Sequence, residues 1–269
     1  MELDDRTADA TAGYDTLCRQ SPPYVRACFD RVRLMFETGD AAAEQAATAL
    51  ISKYPNEAIT QSLVKRLARY YLDAETFDEG RTALAALVKA LQNTEIEDTL
   101  RFEISRLARA ADDTPGEKTE LVALIRRHAR WQSQLWDDAV WRMAEICRDE
   151  NNEDEEIVWL KTLEQAQESS RLIGSYTSPY YDDALYRLGE IHLTRGRFAA
   201  ARRAFAVLAA SETSRMQDDG LLGLARVDLA EGQSEDACAK LLEVQKIDGS
   251  ASRKASSLYN GAKCGPEPN

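Results

Sequence analysis

Two stretches of sequence decide the fold: DDAVWRMAEI at residues 137–146 and DDALYRLGEI at residues 182–191. The second is a near-copy of the first, 45 positions later in the chain. A chain built from copies of one unit buries its core between neighbouring copies, because each copy contacts mainly those beside it. We therefore expect a repeat architecture that presents a long surface to another macromolecule rather than housing a reaction.

A second spacing extends the repeat beyond these stretches. It runs through Leu188, Gly189, Gly196 and Phe205, and its counterparts lie 36 positions later, with an earlier copy in residues 67–87. The first residues place an apolar stripe on one helix, with a small residue where a second helix crosses closely. Gly196 suits a left-handed turn between the two helices. The repeating unit is therefore predicted to be a helical hairpin.

Helical periodicity in the rest of the chain predicts six hairpins and a closing helix over 250–263. The approximate pairs are 23–38 with 41–53, 57–73 with 77–91, 97–111 with 116–130, 133–149 with 153–169, 180–195 with 198–210, and 216–231 with 234–246. Residues 53–56 and 114–116 are predicted as breaks because each contains a proline. The outer face of the closing helix is polar, as the end of a stack requires.

The fourth hairpin and its exit contain about nine residues more than a 36-residue spacing allows. We interpret them as a longer second helix followed by a loop at 174–179. A loop of this kind is either an insertion that carries a binding difference or a tolerated extension, and we favour the tolerated extension because lengthening a surface loop costs little.

The hairpin pattern resembles the tetratricopeptide repeat, which has a Leu-Gly pair, an aromatic residue, a further Ala and Phe, and a repeat length near 34. The resemblance implies an all-α fold, a right-handed α-solenoid of about six such hairpins with a C-terminal capping helix. We divide the chain into an N-terminal segment at 1–22, degenerate hairpins at 23–131, regular hairpins with the cap at 132–264, and a tail at 265–269.

Composition limits the class of partner. The net charge of −12 disfavours nucleic-acid binding, because phosphates demand a basic face. No apolar run approaches the roughly 18 residues that a transmembrane helix needs. The polar segment 1–13 lacks the features of a signal peptide. We therefore expect either a cytoplasmic protein or an exported one in which Met1 takes the place of an export signal.

By resemblance to tetratricopeptide arrays, certain positions of each first helix point into a concave groove. These partner-binding candidates are Lys65, Arg66, Arg69, Trp141, Arg142, Glu145, Tyr186, Arg187, Glu190 and Arg226. Arginines at one position of two repeats, beside aromatic rings, suit a protein or peptide that carries a carboxylate. The alternative is pairing within each helix, Arg142 with Glu145 and Arg187 with Glu190. A chaperone-tail clamp needs paired Asn and Lys residues, and the Asn residues are missing.

The sequence contains few residue patterns that are typical of catalytic or metal-binding sites. We predict no catalytic residues, no metal site and no cofactor, since neither His128 nor His192 has metal-ligand spacing with Cys or Asp. His192 holds the aromatic position of its repeat and is interpreted as a packing residue. The acidic run 149–156 lacks the spacing of a calcium loop, and we interpret it as a turn in which Asn152 caps the next helix with Glu155.

Four of the five cysteines form two near pairs at the ends of the chain. Cys18 with Cys28, and Cys238 with Cys264, could staple the ends of the solenoid, where fraying is easiest. Two such disulfides would imply an oxidising compartment such as the bacterial periplasm. The alternative is five reduced thiols in a cytoplasmic protein. Cys147 falls at a core position and is predicted to be a buried thiol.

The turn at 54–56, the segment 178–184 and Gly196-Arg197-Phe198 resemble those of bacterial periplasmic repeat proteins that serve the cell envelope. The resemblance implies a non-catalytic scaffold or adaptor, part of an envelope complex, that binds a protein segment in its groove. The alternatives are a cytoplasmic adaptor or regulatory subunit, and a domain of an enzyme.

Overall fold

Helices joined by short turns make up almost all of the described chain. The computed structural model describes residues 2–127, 133–170, 174–211, 214–247, 249 and 251–265, and the predicted tail lies almost entirely outside this range. Internal contacts divide the chain into two units, Met1–Ala139 (unit 1) and Val140–Asn269 (unit 2). The domain boundary at 131/132 that we drew from the sequence pattern stays a prediction.

Unit 1 is made of an N-terminal helix and three helical hairpins. The helices are α1 Glu2–Arg19, α2 Val25–Glu37, α3 Ala43–Lys53, α4 Thr60–Asp73, α5 Phe77–Ala90, α6 Glu97–Ala110 and α7 Thr114–Arg127. Each helix of the hairpins packs against the next, and α2, α4 and α6 also contact one another in that order. One apolar core runs through the stack, with Leu67, Leu84 and Leu100 completely buried.

Unit 2 continues the same alternation after a helix that begins in unit 1. Its elements are α8 Trp136–Asp149, α9 Glu153–Glu164, β1 Gln167–Ser170, β2 Gly174–Thr177, α10 Tyr181–Thr194, α11 Phe198–Ala210, α12 Gln217–Ala230, α13 Ser234–Lys246 and α14 Ser252–Gly261. Successive helices pack together from α9 to α14, and α10 also contacts α12. The fold predicted from the sequence, an all-α solenoid of helical hairpins with a closing helix, is confirmed.

All six hairpins turn through one residue with a left-handed backbone. Three of these residues are glycines, Gly39, Gly196 and Gly232, but Glu75, Asp112 and Asn151 occupy the same place with φ of 56–57°. At each turn the next residue donates its N–H to the carbonyl five residues back, which satisfies the end of the first helix. The third hairpin, whose turn has no glycine, therefore has the same geometry as the others.

The close helix crossing predicted at Gly189 surrounds Phe205. This ring is completely buried between Gly189 of α10 and Gly223 of α12. A Cβ atom on Gly189 would lie 2.5 Å from the ring, which is too close for any real contact. The second glycine was not singled out in the sequence, and it lets Phe205 fill the space between two successive first helices.

Serine–aspartate hydrogen bonds join successive hairpins inside each unit. In unit 1 the hydroxyl of Ser133 donates to the buried Asp98, and in unit 2 that of Ser214 donates to Asp182 at 2.7 Å. Both serines also accept a backbone N–H two residues later, at 3.2 and 3.0 Å. In unit 2, Ser214 therefore starts the hairpin of α12 and α13 and fastens it to α10, the first helix of the hairpin before.

Three local expectations are corrected. Helix α9 ends at Glu164 rather than 169, and the extra residues form an antiparallel β-hairpin in which Gln167 pairs with Thr177. The β-hairpin also replaces most of the predicted loop 174–179. Thr114 begins α7 instead of breaking the chain, because proline is tolerated in the first turn of a helix. Apart from these corrections, the segment 1–22, for which we predicted no element, contains α1.

Candidate functional site

In unit 2 the predicted groove residues of α8 are engaged with one another. The Nε1 of Trp141 donates to Glu145 at 3.2 Å, and Arg142 pairs with the same carboxylate at 3.1 Å. The Trp141 ring also stacks on Tyr180, with ring centroids 5.1 Å apart and planes 5° from parallel. Arg142 thus pairs within its own helix, which is the alternative to partner binding that the sequence left open.

The equivalent arginine of α10 makes a different contact. Arg187 donates twice to Glu156 of α9, at 2.7 and 3.0 Å, and this carboxylate is only 1% exposed. The expected pairing of Arg187 with Glu190 is wrong, because Glu190 accepts from Arg226 of α12 instead. These hydrogen bonds raise the pKa of the Arg187 guanidinium above its ordinary value. Arg187 therefore holds two hairpins together.

Tyr186 also packs inward rather than standing free. Its ring lies edge-on to Phe205, with centroids 6.0 Å apart. Burial, followed by the charge of Glu190, raises the pKa of the Tyr186 phenol. The ring is therefore partly committed to the core of unit 2.

The acidic run 149–156 has a structural role as well as the predicted cap. Asn152 accepts the backbone N–H of Glu155 at 3.4 Å, which confirms the cap. Arg195, at the end of α10, pairs with Glu153 at 2.7 Å and Asp154 at 2.6 Å. Its hydrogen bond lowers the pKa of Asp154. The run therefore supplies carboxylates that pair with arginines of the following hairpin.

In unit 1 the predicted groove residues of α4 line open clefts. Arg66 lies in a cleft of about 710 Å³ between α2 and α4. The cleft is lined by Arg26, Phe29, Asp30, Arg33, Ala58, Ile59, Ser62, Leu63 and Arg66. Its ion pairs are long: Arg66 to Glu37 is 3.6 Å and Arg33 to Asp30 is 3.6 Å. We call it the α2–α4 cleft.

A second cleft of about 360 Å³ shares Arg66 with the first. Its lining includes Arg69, Asp73 and the aromatic pair Phe36 and Tyr70, whose ring centroids are 5.5 Å apart. Tyr70 is 43% exposed, although it is a large aromatic residue. We call this the aromatic cleft. The two clefts together offer arginines beside apolar rings.

A buried carboxylate lies beside Lys65 and Arg69. Glu103 of α6 is 1% exposed and accepts from Arg106 at 2.7 Å. Burial raises its pKa, while Arg106 and then Lys65 and Arg69 act in the opposite direction. Among the described residues, Lys65 and Arg69 make no direct ion pair. That any of the predicted groove residues contacts a partner stays a prediction.

Disulfides close both ends of the chain, as the sequence predicts. Cys18 of α1 is joined to Cys28 of α2, and Cys238 of α13 to Cys264 beyond α14. Cys147 is completely buried in α8 and belongs to neither pair. Within the described ranges, no cluster of three or more His, Cys, Asp or Glu side chains could hold a metal ion. No described helix has the length and apolarity needed to cross a membrane.

Comparison with known proteins adds a likeness to helical repeat structures. No protein-family model matches the chain, and no curated protein is significantly similar. A tetratricopeptide repeat protein from Parabacteroides merdae is 12% identical, with a TM-score of 0.43, over 88% of this chain and 98% of that one. BtubC (BKLC) from P. vanneervenii is 13% identical, with a TM-score of 0.45, over 100% of this chain and 96% of that one. The contacts inside each unit, independently of these likenesses, make the chain an all-α solenoid of tetratricopeptide-like hairpins.

Proposed function

We propose that this protein is a non-catalytic scaffold that binds a segment of another protein, as a subunit of a bacterial cell-envelope complex. Stacked helical hairpins offer an extended surface rather than a closed reaction site, and this supports the general class of function. The single observation that carries the proposal is the α2–α4 cleft, which opens between two successive first helices. Grooves of this kind accept an extended or helical peptide.

The accessible face of α4 carries residues that support binding of a protein there. Three cationic residues, Lys65, Arg66 and Arg69, lie on accessible positions of α4 beside the exposed ring of Tyr70. Arginine and tyrosine are over-represented where proteins bind one another, because they combine apolar contact with hydrogen bonding. A protein partner therefore fits this face better than a small metabolite.

A photo-crosslinking amino acid placed in the cleft tests this proposal. We expect the residue at Ser62, which lines the α2–α4 cleft, to capture a partner protein when the full chain is expressed in its native cell. The matched control is Ala86, which is exposed on the second helix α5 of the same unit. Capture from position 86 with none from position 62 would contradict binding on the first helices.

The exported location rests on the two disulfides. Disulfides persist in oxidising compartments and are rare in the cytosol. A thiol titration of the denatured, non-reduced protein purified from its native compartment is expected to detect Cys147 alone. Detection of all five thiols would favour the alternative, a cytoplasmic adaptor or regulatory subunit of the same fold.

A further inference from the structure

The α2–α4 cleft and the aromatic cleft carry a net positive charge, opposite in sign to that of the whole chain. The α2–α4 cleft and the aromatic cleft are lined by four arginines and two carboxylates, in a protein of net charge −12. The arginines are Arg26, Arg33, Arg66 and Arg69, and the carboxylates are Asp30 and Asp73. Glu37 lies outside the lining but pairs with Arg33 and Arg66, and the arginines still outnumber the carboxylates when it is included. A local excess of positive charge on an acidic protein attracts anionic segments selectively.

Two carboxylates near the α2–α4 cleft each pair with two arginines. Asp30 serves both Arg26 at 3.3 Å and Arg33 at 3.6 Å. Glu37 serves both Arg33 at 3.3 Å and Arg66 at 3.6 Å. Charge-assisted pairs in optimal geometry are shorter, about 2.7–2.9 Å. An incoming carboxylate would therefore complete hydrogen bonding that the protein leaves partly unmade.

Apolar groups in the same clefts specify what else the occupant must carry. Phe29 and Leu63 line the α2–α4 cleft but are almost completely buried, whereas Phe36 and the accessible ring of Tyr70 line the aromatic cleft. A polyphosphate would use the arginines but not the ring of Tyr70, which is 43% exposed. An acidic peptide that contains an aromatic residue would use both.

We propose that the α2–α4 cleft and the aromatic cleft together bind an acidic linear segment of a partner protein, with an aromatic side chain of that segment packed against the ring of Tyr70. Arg66 lines both clefts and is the central contact. This proposal rests on the proposed scaffold function and adds the chemistry of the partner. The acidic protein as a whole repels an acidic partner at long range, so attraction acts only where the segment lies close to the arginines of the clefts.

The probe for this proposal is a fluorescein-labelled peptide of Asp and Glu residues with one central Phe, titrated with the full chain while its anisotropy is measured. We expect the affinity to fall about tenfold or more with Arg66→Glu, because a charged hydrogen bond is lost and a like charge is introduced. The matched control is Lys89→Glu, an equal change of charge at an exposed position of α5, which leaves the affinity unchanged. Raising the salt concentration weakens the wild-type binding.

Three comparison probes separate the alternatives. Replacing the central Phe by Ser weakens binding, and replacing the acidic residues by Lys abolishes it. Equal or tighter binding of a single-stranded oligothymidine overturns the proposal in favour of a general polyanion site. Absence of binding to the acidic probe, or equal binding by Arg66→Glu and wild type, also overturns it. Arg66→Gln, with its helix content checked by circular dichroism, covers the case in which Arg66→Glu fails to fold.

The failure of this inference is distinguishable from the failure of the scaffold function. If the crosslinker at Ser62 captures a partner but the acidic probe does not bind, only the partner chemistry is wrong. If position 62 captures nothing, the scaffold function at this cleft is wrong as well. A doubled mass in light scattering that Arg66→Glu abolishes would identify the occupant as a second copy of this chain, and would also overturn the proposal.

Discussion

The same residue type does different work in the two units. In unit 2, Arg187 is held by the buried Glu156 at 2.7 and 3.0 Å, and Arg226 pairs with Glu190. In unit 1, Arg66 lies between two clefts and pairs at 3.6 Å with an exposed carboxylate. Arginines on the first helices of a repeat therefore either join hairpins or remain accessible to a partner. The helices that pack against them decide which.

The two end disulfides offer the largest effect by which to compare the units. Cys238→Ser with Cys264→Ser is expected to lower the free energy of unfolding by about 3.5 kcal/mol, and Cys18→Ser with Cys28→Ser by about 2.7 kcal/mol. The first pair closes the longer loop, a separation of 26 residues against 10, and a longer loop restricts the unfolded chain more. Denaturation in guanidinium chloride without reductant measures both, and a reversed order would refute the loop-length argument.

The second prediction compares the loss of stability when Arg187 or Arg66 is replaced. Arg187→Ala is expected to lower the free energy of unfolding by about 3 kcal/mol, because it leaves Glu156 buried without its partner. Arg66→Ala is expected to cost less than about 1 kcal/mol, because its pair is exposed. Urea unfolding measures both. Arg187→Leu combined with Glu156→Leu serves as the control, since removing both charges should recover much of the loss.

The turns between paired helices allow a smaller, matched test. Gly232→Ala is expected to cost about 1 kcal/mol, because alanine is strained at φ of 77° although its Cβ would meet no other atom. Glu75→Gly is expected to add about 0.5 kcal/mol, since relief of the same strain exceeds the entropy that glycine brings to the unfolded chain. Thermal unfolding measures both. If both substitutions changed the unfolding free energy in the same direction and by the same amount, strain at the two turns would not be the same.

The smallest expected difference between the units concerns pH. His192 in unit 2 and Tyr71 in unit 1 hold the same repeat position, but only histidine titrates near neutrality. Burial, then the charges of Lys161 and Arg197, lower the pKa of His192 below its ordinary value near 6.5. Its contribution to stability is therefore complete above about pH 6.5 and is lost as pH falls through the lowered pKa.

His192→Phe should remove this loss. Below about pH 6.5 the unfolding free energy of the wild type should therefore fall relative to that of the variant. Tyr71→Phe is the control and should show no change in that range, because burial and the hydrogen bond to Glu44 raise the pKa of this phenol. A wild-type protein whose stability follows that of His192→Phe at every pH would contradict the assignment.

Much of the fold could be predicted because periodicity is local. The near-copies at 137–146 and 182–191 predicted helices, and Gly196 and Gly232 predicted left-handed turns that the structure contains. The equivalent turn at Asp112 was missed, since backbone geometry there is imposed by the packing of α6 on α7 and not by a glycine. Ser133 and Ser214 each precede an aspartate by four residues, and each donates to the equivalent aspartate one repeat earlier, Asp98 and Asp182; this recurring spacing was a visible signal in the sequence.

The candidate site could be predicted only as a set of positions. The resemblance to tetratricopeptide arrays selected Arg66 and Arg187 by the same rule, and nothing in their neighbouring residues distinguishes them. Glu156 precedes Arg187 by 31 residues, and Glu37 precedes Arg66 by 29, so both partners come from other helices. Which carboxylate is buried and which remains exposed depends on how the hairpins stack.

Spacing along the chain was enough to predict the repeat and the helical hairpin as its unit, and it left two states open for the cysteines near the ends, paired or reduced. The tertiary structure alone decided that the extra residues after α9 form a β-hairpin, that Arg187 is a structural residue, and that Arg66 lines two open clefts. The physical reason is that burial and ion pairing depend on distances between helices, which the spacing of residues within a helix does not specify.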